Sequence, residues 1–174
     1  MKKTALAIVF TFALFGCSSK NPATAGLAPS KGAPEFILEN IRGGKTNSLD
    51  LKGKVIVVDF WATWCDPCKA EVPHFNKLYQ DYQGKDVQVV GIAIESPYKD
   101  IVPTVKEVGI NYPVLVGNDN VVDGFGGVIG YPTTYVVTKD WKIYKKYMGA
   151  LTNKEALLRK DIDKLLAEQP SATD

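Results

Sequence analysis

The chain has little of what metal chemistry, nucleic-acid binding or membrane spanning would require. It contains one histidine, His74, and three cysteines in 174 residues. One histidine excludes a multi-histidine metal centre, and three cysteines are too few for a disulfide-dense scaffold. An excess of one charge is also missing, since 21 Lys and Arg stand against 19 Asp and Glu. Lys2 and Lys3 open the chain, and without them the balance is 19 against 19. A neutral domain lacks the basic footprint that nucleic acid demands, so that partner class is excluded. The apolar run Thr4 to Phe15 has twelve residues, too few to span ~30 Å of hydrocarbon as a helix. What is present is ordinary: 45% hydrophobic and 23% charged residues are globular proportions, enough for one domain.

The ends of the chain differ from its middle. Lys2 and Lys3 followed by the short apolar run form a signal-peptide pattern over residues 1–16. The run closes on Leu14-Phe15-Gly16-Cys17-Ser18, which resembles the lipobox of bacterial lipoproteins, with Phe15 departing from the small residue usual there. That resemblance implies cleavage before Cys17 and a lipid on its thiol. An ordinary cleaved signal and an uncleaved anchor are the alternatives. Residues 18–34 hold one large apolar side chain, Leu27, and cannot bury enough surface to fold. With Cys17 they read as a lipidated, flexible tether over 17–34, with a reach of ~20–25 Å. Residues 169–174 read as a disordered tail, which leaves one folded domain over 35–168.

Within that domain Phe36–Ile41 and Thr46–Ser48 flank Gly43-Gly44 as a hairpin. KVIVVDF (54–60) and VQVVGIAI (87–94) are β-branched runs of buried-strand type. A helix is predicted from about Cys65 to Gln83, with Val72, Phe75, Leu78, Tyr79 and Tyr82 at spacings of three and four and Pro73 kinking it. A second helix follows over 99–109, then a short strand at 113–116 and a short helix or turn at 119–126. Strands at 133–137 and 143–148 make a hairpin around Thr138-Lys139-Asp140. Thr152 and Glu155 read as a capping box for a final helix lined by Ala156, Leu157, Leu158, Ile162, Leu165 and Leu166. The pattern predicts an α/β domain with a mixed central sheet covered by helices on both faces.

The chemistry lies in Asp59-Phe60-Trp61-Ala62-Thr63-Trp64-Cys65-Asp66-Pro67-Cys68-Lys69. Two cysteines three apart at a strand-to-helix junction place the first at a helix N-terminus. Unpaired N–H groups and the positive dipole end there favour a thiolate. Pro67 suits the first turn, where no backbone donor is needed. Haem attachment requires a His where Lys69 stands, and structural zinc requires four ligands where Cys65, Cys68 and His74 are on offer. A redox pair and an inert structural disulfide remain, and the strand-to-helix placement favours the redox pair.

VVDFWATWCDPCK is similar to the active-site signature of the thioredoxin superfamily. Pro73 matches the proline inside that family's first helix, and Tyr131-Pro132-Thr133-Thr134 resembles the loop whose cis-proline faces the dithiol. The 64 residues from Cys68 to Pro132 exceed a plain thioredoxin by about a strand and a helix. That excess, with the N-terminal hairpin and signal, resembles the TlpA/ResA group of extracytoplasmic thiol–disulfide proteins. Glu95, at the end of VVGIAIE, matches that group's active-site glutamate.

The resemblance implies a thioredoxin-like fold with a strand–helix insertion before the cis-proline loop. It also implies disulfide reductase activity without a cofactor or metal. An exposed Cys65 attacks a substrate disulfide, and a more buried Cys68 resolves the mixed disulfide. Asp59, on the strand beneath the pair, accepts the departing proton, with Glu95 as second candidate; the two would form a coupled pair. Asp66 between the cysteines opposes the Cys65 thiolate and biases the pair toward a reductant, with Pro67 sharing in the redox tuning. Tyr131, Pro132 and an exposed Trp64 face the substrate, whereas Trp61 belongs to the core and His74 to the surface. Phe36, Tyr98, Phe125, Trp141 and Tyr144 are packing residues.

The expected partners are disulfide-bonded proteins, the CxxCH pair of apocytochrome c among them, and a membrane thiol–disulfide transporter that supplies electrons. The expected setting is the cell envelope or periplasm, with the protein a monomer held by its lipid anchor. The rival functions are a general disulfide oxidase or isomerase, and a binding module with a vestigial dithiol. The Thr-x-x-Cys of a peroxidase is not present, and a copper chaperone spaces its cysteines more widely.

Overall fold

The computed structural model describes residues 32–168. The expected signal peptide, Cys17, the tether as far as residue 31 and the 169–174 tail lie outside the described residues. Seven strands form one mixed sheet in the order β2-β1-β5-β4-β3-β6-β7. They are β1 Ile37–Asn40, β2 Lys45–Asn47, β3 Val55–Trp61, β4 Val87–Ala93, β5 Val114–Val116, β6 Thr133–Val137 and β7 Ile143–Met148. The helices are α1 Asp66–Asp81, α2 Tyr98–Val108, α3 Asp119–Gly124 and α4 Lys154–Ala167, and a 3₁₀ turn spans Ser48–Leu51. This is the α/β architecture expected, with β5 and α3 lying between α2 and the Pro132 loop.

The central strand β3 is buried along its whole length. It runs parallel to β4 and antiparallel to β6, which explains its continuous apolar character. Its side chains alternate between two half-cores. Val55, Val57 and Trp61 join Val72, Phe75 and Leu78 of α1, Ile101 of α2 and Leu158 and Ile162 of α4. Ile56, Val58 and Phe60 join Val121 of α3, Phe125, Tyr135 and Trp141. The period of two therefore turns Asp59 toward the α1 and α4 side.

Opposite Asp59 on β4 stands Gly91. A Cβ there would lie 3.1 Å from Tyr112 and 3.2 Å from the Trp61 indole nitrogen, so glycine admits both rings beside Asp59. Gly43 and Gly44 turn the first hairpin with φ of 107° and 74°, as their sequence predicts.

Three details differ from the sequence reading. Gly32 to Pro34, assigned above to the tether, are part of the fold. Gly32 bridges to Lys142, the Ala33 N–H donates to the Trp141 carbonyl at 2.8 Å, and Ala33 is buried. The capping box at Thr152 and Glu155 does not form. The N-cap of α4 is Asn153, without a side-chain bond, because Glu155 is drawn instead to the His74 ring at 2.8 Å and Arg159 at 2.8–2.9 Å. Tyr98 is half exposed at the start of α2 rather than packed.

Candidate active site

β3 ends at Trp61, and a tight turn through Ala62 delivers Cys65 to the N-cap of α1. The Cys65 N–H donates to the Ala62 carbonyl at 3.0 Å, and the Cys68 N–H donates to the Cys65 sulfur at 3.2 Å. Pro67 lies in the first turn, as predicted, where its missing N–H costs nothing. Cys65 and Cys68 are joined in a disulfide with Cα atoms 5.3 Å apart.

The expected contrast in exposure is absent: Cys65 keeps 4% of its surface and Cys68 3%. In the oxidised protein the bridge turns the Cys65 sulfur into the first helical turn, and Tyr131 packs against the cluster that holds both sulfurs. Asp66 is almost fully exposed and pairs with Lys69 at 3.3 Å. The charge expected to act on Cys65 is thus partly offset by its own neighbour, at a solvated position where such pairs are worth little.

The loop before β6 brings Tyr131 against Trp64, the neighbour of Cys65. Its Tyr131–Pro132 bond is cis, as the resemblance implied, and the Pro132 carbonyl accepts from the Gly149 N–H at 2.8 Å. Trp64 is 59% exposed and meets Tyr131 edge to face, with ring centroids 5.7 Å apart. The Trp64 indole N–H donates to the Glu95 carbonyl at 3.1 Å. Glu95 has φ of 48°, a left-handed conformation rare outside glycine. Flanking bonds hold that turn, from the Thr63 N–H to the Ser96 hydroxyl and from the Ile94 N–H to the Trp61 carbonyl, both 2.9 Å. Burial, and then the Glu95 carboxylate beside it, push the Tyr131 phenol up to about 12. Glu95 itself is exposed, so it belongs to the rim around Trp64 and Tyr131.

Asp59 is the carboxylate at the floor. It is 2% exposed, and its Oδ1 accepts from the Thr134 hydroxyl at 2.9 Å, two residues beyond Pro132. Burial pushes its carboxyl up to about 7, against the smaller downward pulls of the Thr134 bond and the Lys154 charge. A solvent-facing strand-end carboxylate is therefore not what stands here.

Glu71 and Lys154 were not singled out from sequence. Glu71 follows Cys68 by three residues on α1 and is buried, and its Oε2 receives the Lys154 ammonium at 2.7 Å. A signal for Glu71 exists: an acidic residue one turn after Cys68, on the same helix face as Val72 and Phe75. Lys154 comes 83 residues later in the chain, and nothing local marks it. Among the described residues no group of three or more His, Cys, Asp or Glu is placed to hold a metal ion.

A family profile described as AhpC/TSA family matches residues 29–146, more than half of the chain. Thiol-disulfide oxidoreductase ResA of Bacillus subtilis (strain 168) is 31% identical over 153 residues, covering 86% of this chain and 85% of that protein. ResA of Bacillus anthracis is 32% identical over 125 residues, 72% of each chain. A crystal structure of a thiol:disulfide interchange protein of the thioredoxin family from Chlorobium tepidum TLS superposes with a TM-score of 0.72 at 27% identity, covering 82% of this chain and all of that one. With the dithiol, the cis-proline loop and these relatives in agreement, the chain belongs to the thioredoxin-like AhpC/TSA family and, within it, to the ResA-like thiol–disulfide oxidoreductases.

Proposed function

We propose that the protein reduces disulfides of proteins in the cell envelope. What supports this is the Cys65–Cys68 bridge at the tip of α1, in a domain that also holds a cis Tyr131–Pro132 bond and a buried Asp59 carboxyl pushed up to about 7. In the reduced protein the Cys65 thiolate attacks a substrate disulfide, forming a mixed disulfide and releasing one substrate thiolate. Cys68 gives its proton to Asp59 and attacks the Cys65 sulfur. The second substrate thiolate leaves, and the Cys65–Cys68 bridge carries away the two electrons' worth of oxidation. A carboxyl poised near 7 both accepts and returns a proton at working pH. Glu95 instead shapes the substrate face through Trp64 and Tyr131.

Further features are part of the same reading. Electrons come from a membrane thiol–disulfide transporter, and the CxxCH disulfide of apocytochrome c is a substrate. The signal-like N-terminus and Cys17 anchor a monomer to a membrane from the extracytoplasmic side. Reduced protein is expected to cleave insulin disulfides, and Cys65→Ser to abolish the activity. Equal turnover by both would favour a binding module, and a measured potential near that of strong oxidants (about −120 mV) would favour an oxidase.

A further inference from the structure

The stretch from α3 to Pro132 has a composition that resists ordering. Gly124, Gly126, Gly127 and Gly130 fall close together, and Gly126 and Gly127 both take φ of 84°. Glycines lose more backbone freedom on folding than other residues. The stretch nevertheless delivers Tyr131 to a defined place against Trp64. Three side chains of β6 and β7 hold it by its carbonyls. The Thr133 hydroxyl donates to Gly130 at 2.7 Å. The Tyr135 hydroxyl donates to Phe125 at 3.1 Å and to Gly127 at 3.4 Å. The Lys146 ammonium donates to the same Gly127 carbonyl at 3.1 Å. Tyr135 and Lys146 face each other across the β6–β7 pairing, with the ammonium 5.3 Å from the centre of the Tyr135 ring. Lys139, Lys142 and Lys145 each meet an aspartate, whereas Lys146 turns to a backbone carbonyl. A hydrogen bond given by a cation is roughly twice as strong as a neutral one.

We propose that Lys146, with Tyr135, is a positioning residue for protein substrates: bound to the Gly127 carbonyl, it fixes the loop that presents Tyr131 and Pro132. This rests on the reading of the dithiol as a reductase site. Disulfide exchange is fast only when the attacking sulfur and the target bond are held in a near-attack geometry. A protein substrate is held by its chain along the loop as well as by its sulfur, whereas a small disulfide has no chain to hold. Without the Lys146 bond the glycine-rich loop samples more conformations, and a smaller share of them places Tyr131 correctly. Apparent affinity for a protein substrate falls with that share. The dithiol at the tip of α1 is held by its own turn and helix, so its reaction with a small disulfide is untouched.

The test compares two disulfides on the full chain, insulin and hydroxyethyl disulfide, with dithiothreitol recharging the dithiol. Lys146→Met keeps an apolar stem over Tyr135 and removes the ammonium. It is expected to lower kcat/KM for insulin about fivefold and to leave the rate constant for hydroxyethyl disulfide unchanged. Lys146→Arg keeps a cationic donor and is expected to restore insulin reduction. Tyr135→Phe is expected to lower it in the same selective way. Insulin reduction unchanged in Lys146→Met, or both disulfides slowed alike, overturns the proposal. Should Lys146→Met fail to fold, the same two rates in Tyr135→Phe decide by the same criteria. Wild type that reduces insulin no faster than Cys65→Ser removes the reductase reading, and the positioning role with it. An active wild type beside an equally effective Lys146→Met removes the positioning role alone.

Discussion

Asp59 is the residue on which the site's electrostatics turn. Its folded-state carboxyl titrates near 7, against 3.8 for the unperturbed group. Between those values the folded protein holds a proton that the unfolded chain has released. Stability attributable to Asp59 is therefore intact below about pH 4 and declines as pH rises toward 7. Asp59→Asn keeps an acceptor for the Thr134 hydroxyl and has no charge to bury. It should unfold like wild type near pH 4 and be more stable by up to about 4 kcal/mol at pH 8. Urea titrations at the two pH values check this, and equal stability at pH 8 would show that Asp59 carries no buried charge. The position was legible as an acid inside a β-branched run six residues before Cys65. Its partner was not, because the Thr134 hydroxyl reaches it only through the pairing of β3 with β6.

At the scale of elements, close approach decides which small residues matter. Gly117 follows β5, and its N–H donates to the Ala93 carbonyl at 2.8 Å. A Cβ there would stand 2.1 Å from Ile94 Cδ1, 2.6 Å from Ile92 Cγ2 and 3.1 Å from the Ala93 carbonyl oxygen. Gly117→Ala should therefore cost about 1–3 kcal/mol. Gly130, with nothing within 4 Å, should tolerate alanine within about 0.5 kcal/mol. Urea midpoints of the two variants make the comparison, and equal losses would contradict the packing around β5. Strand and helix positions were legible here because their periodicities are strong. The α4 cap was not, because the claim of His74 and Arg159 on Glu155 crosses from α1 to α4 and along α4 itself.

For the whole molecule, the strap of Gly32 to Pro34 changes where the domain begins. Pro34 lies against Gly124, where an added Cβ would come within 2.5 Å of it, and its carbonyl accepts from the Trp141 indole at 3.3 Å. Fourteen residues of sequence, 18–31, then stand between Cys17 and the strap. Among the described residues no helix is long and apolar enough to cross a membrane. Attachment through Cys17 is tested by growing cells with labelled palmitate. Label is expected in the wild-type chain and absent from Cys17→Ala, and a wild type without label would rule out the lipid.

Sequence alone determined the dithiol, its place at a helix tip, the cis-proline loop and the α/β order of elements. Each is encoded by residues near one another in the chain, through period, turn chemistry or a short motif. Only the tertiary structure decided that Glu71 and Lys154 meet in a buried pair, that Glu95 stands beside Trp64 at the surface, and that both sulfurs are covered when bridged. Those outcomes depend on packing between elements tens of residues apart, where burial and Coulomb forces act on distance in space and are blind to distance along the chain.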